Sequence, residues 1–207
     1  MLYIAVGVVF ASILGYLAYK DFFIPPEQMV KPPEFATSPV QSKKKTDQEK
    51  ATYTVPPTHP KNLTIKKLDL TANIVPLGTL ASGALDAPKT AWDAGWYASS
   101  AQPGSGSGAI VLDGHVNDAL NQPGIFYALH TLVAGDEIRI QRGDDIVYIY
   151  EVRAVQQTLS AALDMSAVMT SIEPTKEGLN IITCGGTYDT TAQTYRDRVV
   201  VYATLVS

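Results

Sequence analysis

From about residue 62 onward, short apolar runs rich in Val, Ile, Thr and Tyr alternate with Gly, Pro, Asn and Asp. Such runs are typical of β-strands separated by turns, because β-branched side chains fit a pleated surface and the intervening residues favour turn geometry. Eight runs are present, at residues 63–70, 72–77, 96–99, 108–115, 136–141, 146–155, 179–184 and 198–205. Helices of ordinary length have little room between them.

Within this part of the chain, residues 126–133 and 161–172 could form short helices. Closely spaced strands with one or two short helices predict a mainly β domain, a closed or nearly closed barrel of about eight strands. Arg142-Gly-Asp-Asp145, between two of the runs, predicts a hairpin.

Residues 2–19 read LYIAVGVVFASILGYLAY and carry no charge. A cleaved signal peptide, a buried core helix and a membrane anchor are alternatives. A signal peptide would have a charged start and a small-residue cleavage site, which this segment lacks. A buried core helix is disfavoured because the segment is apolar on every face and a disordered-looking stretch follows it. The segment therefore predicts a transmembrane helix at the short end of the spanning range, with tyrosines near its ends.

Eight of the 13 prolines and the run Lys43-Lys44-Lys45 lie between residues 20 and 60. This composition predicts a semi-extended spacer. The predicted organisation is an anchor at 1–19, a Pro-rich flexible linker at 20–61 and a β-barrel domain at 62–207. Lysines that follow the anchor favour a cytoplasmic domain by the positive-inside rule.

Composition excludes several classes of function. A net charge of −4 without a basic stripe argues against nucleic-acid binding. One cysteine rules out an internal disulfide and a multi-thiolate zinc site, and no metal or cofactor is predicted. The GSGSG run at 104–108 lacks the Gly-Lys-Ser/Thr ending of a phosphate loop, so it is predicted to be a flexible loop.

Three residues at the ends of β runs could form a reactive site: His115, Cys184 and Arg198. A cysteine attacks carbonyls as the thiolate, which a nearby cation stabilises. A histidine can protonate a leaving amine, and an arginine can bind a developing oxyanion. Gly185 and Gly186 would let backbone approach a substrate. From these residues alone, Cys184 is either a nucleophile or a small buried hydrophobe.

The motifs GHV at 114–116, ITC at 182–184 and RVVVYA at 198–203 resemble those of sortases, membrane-anchored cysteine transpeptidases. Their context is also similar: GWY at 95–97, PG at 103–104, GAIVLDGH at 108–115, FY at 126–127 and AGD at 134–136. The TCGG form is most similar to classes D, E and F. The resemblance covers about residues 62–207 and implies the sortase-like eight-stranded barrel.

The resemblance implies Cys184 as nucleophile, His115 as general acid and an arginine of the last strand as oxyanion ligand. Arg196 and Arg198 both lie near the start of that strand, and Arg198 stands at the family's usual distance from the closing Ala203. The same resemblance implies that residues 160–178 shape a peptide groove. Candidate substrate contacts are Thr183, Gly185, Met165 and Val168, although packing of the loop against the barrel is the alternative for the last two.

The implied reaction cleaves a Leu-Pro-x-Thr-Gly-like signal between Thr and Gly and transfers the protein to an amine, on a peptidoglycan precursor or a pilin lysine. Because such substrates are secreted, the domain is expected outside the cell, against the lysine asymmetry. Two alternatives stay open: a cysteine hydrolase on the same fold, and a peptide-binding surface module with an inert Cys184. Some sortases bind calcium, and Asp164, Glu173 and Glu177 could be ligands, but scattered carboxylates in a loop are usually solvated, so no metal is predicted.

Overall fold

The computed structural model describes residues 44–80 and 86–207. Their strands are numbered here in chain order: β1 Pro60–Ile65, β2 Leu70–Leu77, β3 Ala94–Tyr97, β4 Ala109–Asp113, β5 Glu137–Arg142, β6 Val147–Leu159, β7 Gly178–Asp189 and β8 Thr194–Leu205. Two short α-helices accompany them, α1 Asp47–Ala51 and α2 Met165–Val168. Single 3-10 turns occur at Lys66–Leu68, Leu129–Thr131 and Ser160–Ala162.

The strands form one closed barrel in the order β1-β2-β3-β4-β7-β8-β6-β5. The pairs β2–β3 and β4–β7 are parallel, and the other neighbours are antiparallel. Closure comes from β1 pairing with β5. The predicted mainly β, eight-stranded barrel is confirmed. The turn between β5 and β6 is also confirmed as a hairpin, with the Arg142 amide donating to the Ile146 carbonyl.

Alternate residues of the central strands face opposite sides, as the period of a strand requires. The barrel interior holds a large apolar cluster that includes Leu63, Ile110, Leu112, Ile138, Leu179, Ile181 and Val201. A smaller cluster lies on the outer face of β4, β7 and β8 and consists of Val111, Val168, Ile182, Val200 and Tyr202. α2 covers this outer cluster through Val168, so one side of the barrel wall is buried on both faces.

The segments predicted to be helical contain less helix than expected. Residues 126–133 form only the 3-10 turn Leu129–Thr131. Residues 161–172 contain only the four-residue α2, which begins where the Asp164 carboxylate accepts the Ser166 amide. The Asn180 amide group of β7 donates to the carbonyls of Val168 and Thr170, at 2.7 and 2.8 Å. These bonds satisfy the last carbonyls of the turn from outside, and the helix ends there.

Residues 44–59 pack against the barrel. The ammonium group of Lys45 lies 2.8 Å from the Asp93 carboxylate. The Tyr53 hydroxyl donates to the Ile74 carbonyl at 2.8 Å, and the His59 ring meets Trp96 edge-on at 4.9 Å. These contacts differ from the flexible linker predicted for residues 20–61. The division into three domains otherwise stays a prediction.

The predicted anchor at 1–19 lies outside the described residues. Within the described ranges, the helices are all too short to cross a bilayer. The transmembrane helix and the extracellular placement therefore stay predictions.

The GSGSG run is not an untethered loop. The amides of Gly104 and Gly106 donate to the Glu177 carboxylate at 3.0 and 2.7 Å, and the Ser105 hydroxyl donates at 3.2 Å. The Tyr150 hydroxyl adds a fourth bond, at 2.5 Å. Glu177 is 1% exposed. The GSGSG loop is thus an anion-binding turn, and the group that it binds is the Glu177 carboxylate.

Candidate active site

Cys184 and Arg198 face each other across the β7–β8 pair. Their Cα atoms are direct partners in the antiparallel register, so their side chains leave the sheet on the same face. That face is the outer one, because Ile182 and Val200, two residues away on each strand, belong to the outer cluster. Cys184 lies inside β7 rather than at a strand end as predicted, because β7 continues through a bulge to Asp189.

His115 follows β4, which runs parallel to β7. Asp113 pairs with Ile182, and the Thr183 hydroxyl donates to the Gly114 carbonyl at 2.8 Å. The segment after β4 therefore stays next to β7 beyond the last paired residue. Continuing this register by two residues brings His115 level with Cys184. The topology therefore brings the three predicted catalytic residues to one region of the outer face; their catalytic roles stay predictions.

The ring of His115 is held by the segment that precedes β3. Its Nε2 lies 2.7 Å from the Pro88 carbonyl. A carbonyl only accepts, so Nε2 carries a hydrogen in this contact. In a neutral ring the other nitrogen, Nδ1, then has the lone pair and is the one left to exchange a proton.

Burial raises the pKa of the Cys184 thiol above its ordinary value. The Arg198 guanidinium acts in the opposite sense and lowers that pKa, while the Asp113 carboxylate raises it. Desolvation is the largest of the three effects. Burial therefore favours the neutral thiol of Cys184, whereas the Arg198 guanidinium favours the thiolate.

Geometry distinguishes the two candidate arginines. Arg198 Nη1 donates to the carbonyls of Tyr195 and Asp197, at 3.0 and 2.8 Å, which fixes the guanidinium close to its own strand. Arg196 is exposed, and its charge acts on Asp189 at the far end of the hairpin. Only Arg198 is paired with Cys184, so the geometry favours it as the predicted oxyanion ligand.

Two predicted substrate contacts have other roles. Thr183 is 2% exposed and is committed to the Gly114 carbonyl, on the face of β7 opposite Cys184. A Cβ at Gly185 would overlap Val199, and one at Gly186 would overlap the Asp197 carboxylate. The two glycines thus make room for β8 within the hairpin, and their contact with a substrate backbone stays a prediction.

The remaining predicted contacts lie on α2. Val168 is fully buried in the outer cluster, so its side chain packs the loop against the barrel and has no free surface for a peptide. Met165 is 36% exposed and is available for contact.

The three carboxylates that could serve as calcium ligands have other partners. Asp164 caps α2, Glu173 pairs with Arg153 and Lys176, and Glu177 lies in the GSGSG loop. Within the described ranges, no three acidic, histidine or cysteine side chains are grouped to hold a metal ion.

Sequence reasoning missed two features beside Cys184. The first is an apolar wall of Val116, Tyr188 and Tyr195, against which both Cys184 and Tyr127 pack. The tyrosines at 188 and 195 are cross-strand partners whose rings meet edge-on at 5.3 Å. Equal spacing of the two tyrosines about a turn at 190–193 was the available signal.

The second is Asp113, the only charged residue in the run AIVLD of β4. Burial raises its pKa to about 7, against the lowering effects of the Gly114 amide and Arg198. An acidic residue at the end of an otherwise apolar strand was visible in the sequence, but its proximity to Arg198 depends on the β4–β7–β8 order.

Comparisons with known proteins agree with this geometry. The family model of the sortase domain matches residues 63–206. A search of curated proteins finds no match. Among solved structures, sortase C1 of Streptococcus agalactiae is similar with a TM-score of 0.56 and 19% identity, over 79% of this chain and 78% of that one.

Two further structures are from other classes. A sortase D5 transpeptidase of Clostridium perfringens has a TM-score of 0.52 and 20% identity, over 79% of this chain and 90% of that one. Sortase A of Corynebacterium diphtheriae has a TM-score of 0.54 and 24% identity, over 72% and 61%. These similarities extend over classes A, C and D and concern the fold. With the family model matching most of the chain, the protein belongs to the sortase family.

Proposed function

We propose that this chain is a cysteine transpeptidase that cleaves a Leu-Pro-x-Thr-Gly-like sorting signal between Thr and Gly. The observation that carries the proposal is the direct pairing of Cys184 with Arg198 on the outer face of the barrel. A nucleophile and a fixed guanidinium on adjacent strands can act on the same carbonyl, one on its carbon and the other on its oxygen.

In the proposed first step, the Cys184 thiolate attacks the Thr carbonyl carbon. The oxygen becomes an oxyanion, which the Nη2 and Nε hydrogens of Arg198 stabilise, since Nη1 is already bound to the Tyr195 and Asp197 carbonyls. The C–N bond then breaks as the departing Gly nitrogen takes the Nδ1 proton of His115, which enters this step as the imidazolium after receiving the thiol proton of Cys184. A thioester on Cys184 and a free Gly amine result.

In the second step, an acceptor amine attacks the thioester. Its surplus proton passes to His115, the new amide bond forms, and the Cys184 thiolate leaves. The acceptor is proposed to be an amine of a peptidoglycan precursor or a pilin lysine. Exposed apolar side chains near the start of the β6–β7 loop, Leu159 and Met165, are suited to the apolar end of the signal.

The proposed placement is a single-pass membrane protein with the barrel outside the cell, where secreted substrates and wall precursors lie. Protease added to intact cells is expected to digest the barrel domain. Complete protection of the domain until the cells are lysed would contradict this placement.

The activity is tested by product analysis with the full-length chain and Leu-Pro-x-Thr-Gly peptides, with and without a small amine. The expected products are the free Gly-containing fragment in both samples and an amine-capped fragment when amine is present. Cys184→Ala is the inactive control, and Arg196→Ala is the matched arginine control that retains activity. Release of the free acid at the same rate, with no capping at any amine concentration, would instead indicate a hydrolase.

A further inference from the structure

On the outer face of the barrel, Asp113 lies in the row of side chains next to the row that contains Cys184 and Arg198. Across the outer face, one row runs from Asp113 of β4 through Ile182 of β7 to Val200 of β8, and the next row contains Cys184 and Arg198. In parallel and antiparallel pairs alike, residues in register present their side chains on the same face. Asp113 is therefore on the face of the nucleophile, beside a buried apolar floor.

The charged and titratable groups around Asp113 come from three elements. β8 contributes Arg198, and β7 contributes Cys184. The segment after β4 contributes His115, which follows Asp113 by two residues in the sequence. On its other side, Asp113 pairs with Gly95 of β3, which has no side chain. The acidic neighbour of Arg198 in sequence, Asp197, belongs to the opposite face.

Arg198 is a countercharge common to two acids. Its guanidinium lowers the pKa of Asp113 and also lowers that of Cys184. Asp113 and Cys184 thus compete for one cation in partly desolvated surroundings, where two anions beside one cation are costly. Consistent with this competition, the Asp113 carboxylate raises the pKa of the thiol.

We propose that Asp113 is a positioning residue of the active site. While Cys184 is a thiol, the Arg198 guanidinium stabilises the Asp113 carboxylate. When Asp113 takes up a proton, the guanidinium stabilises the Cys184 thiolate instead. Asp113 does not contact the scissile bond in this account. It acts through Arg198. The two forms of the site, carboxylate with thiol and carboxylic acid with thiolate, contain the same number of protons and the same net charge.

The test is the rate of alkylation of Cys184 by iodoacetamide as a function of pH, measured by mass spectrometry on the full-length chain. Only the thiolate reacts, so the profile reports the thiol's ionisation. Asp113→Asn removes the charge and keeps the shape. The midpoint is expected to fall by about one pH unit, which raises the rate about tenfold at pH values below it.

Two matched variants separate charge from packing. Asp113→Glu retains the carboxylate and is expected to keep the wild-type midpoint. Glu137→Gln removes an exposed carboxylate on β5, away from the site, and should leave the profile unchanged. An unchanged or raised midpoint in folded Asp113→Asn would overturn the proposal.

Wild-type protein provides a test that requires no variant. The carboxyl carbon of Asp113, followed by NMR, should titrate near pH 7. A midpoint near 4, the ordinary range of an aspartate, would overturn the proposal even if Asp113→Asn does not fold.

The inference rests on the proposed role of Cys184 as nucleophile, yet alkylation requires no peptide. A chain that fails to cleave any peptide but shows the shifted midpoint would disprove the proposed function and retain the coupling. Peptide cleavage together with an unshifted alkylation midpoint in Asp113→Asn would support the proposed function and disprove the coupling between Asp113 and Cys184.

Discussion

Glu177 and Asp113 are two acidic side chains close to the ends of paired strands, and their surroundings differ. Four donors from the GSGSG loop and Tyr150 surround the Glu177 carboxylate. Burial raises the pKa of Asp113 to about 7. The Gly114 amide and the charge of Arg198 lower this pKa, but their combined effect is smaller than that of burial. Arg198 is at the same time the partner of Cys184.

The difference separates a structural carboxylate from a reactive one. Donors that satisfy an ionised group fix it and fasten the loop that supplies them. Burial without enough donors leaves a group that changes protonation near neutral pH, which is the property expected at a site of chemistry. Loss of Glu177 should therefore reduce stability, whereas changes around Asp113 and Arg198 should affect reactivity.

The largest expected effect is on the reactive side. Arg198→Ala should lower kcat/KM about 10²–10³-fold, because one preformed donor to the oxyanion is removed. Thermal stability should change little. Peptide-cleavage kinetics measure the effect, and Arg196→Ala is the control. Equal losses in the two variants would show that pairing with Cys184 does not select the functional arginine.

Next in size is an effect on stability. Glu177→Ala leaves the amides of Gly104 and Gly106 and the Tyr150 hydroxyl without their acceptor, at an expected cost of about 3 kcal/mol in the free energy of unfolding. Denaturant titration measures it. Glu173→Ala, which removes partly exposed ion pairs with Arg153 and Lys176 and the acceptor of the Thr204 hydroxyl, should cost less. A loss for Glu177→Ala no greater than that for Glu173→Ala would refute the structural role.

A smaller effect comes from the loop's own glycines. Gly104 and Gly106 have φ values of 84° and 77°, in the left-handed region. Alanine at Gly106 meets open space and should cost about 1 kcal/mol from backbone conformation alone. Alanine at Gly104 also overlaps the Tyr148 ring and should cost more. Unfolding titrations of the two variants give the difference, and the reverse order would contradict the described loop.

Stability should also depend on pH, through Asp113. Folded Asp113 has a pKa of about 7, above the ordinary unfolded value, so the folded state binds an extra proton between about pH 4 and pH 7. Stability from this group is therefore present at low pH and lost as pH rises through 7. Asp113→Asn lacks that loss, so its melting temperature relative to wild type should increase from pH 5 to pH 8. If the difference in melting temperature between Asp113→Asn and wild type were the same at pH 5 and pH 8, the predicted loss of stability through Asp113 would be contradicted.

Much of the fold was predictable from local signals. The β-branched runs identify all eight strands, because side-chain shape favours them locally. Their ends were less predictable. Glycine after Cys184 resembled the end of a strand, whereas Gly186, at φ 70°, belongs to a bulge after which β7 continues. Barrel closure through β1 and β5 joins residues far apart in sequence, so no local pattern indicates it.

In the candidate site, too, local motifs were predictable from the sequence, whereas contacts between distant segments were not. Cys184, His115 and Arg198 were predicted from motifs, and the register brings them to one face. The anion of the GSGSG loop was not predictable, because Glu177 lies about 70 residues further along the chain. Asp113 was overlooked for a similar reason: its connection with Arg198 runs across two strand pairings.

The proposed function depends above all on the formation of a thioester between Cys184 and a sorting signal, beside the Arg198 guanidinium. Its most direct test is the intact mass of the full-length chain after incubation with Leu-Pro-x-Thr-Gly peptides, beside Cys184→Ala. The expected result is an adduct equal to the acyl fragment, on wild type only, which disappears on addition of amine as the capped peptide forms. Absence of an adduct across several peptide variants, together with a thiol in the folded chain that resists alkylation, would contradict the account and favour a binding module.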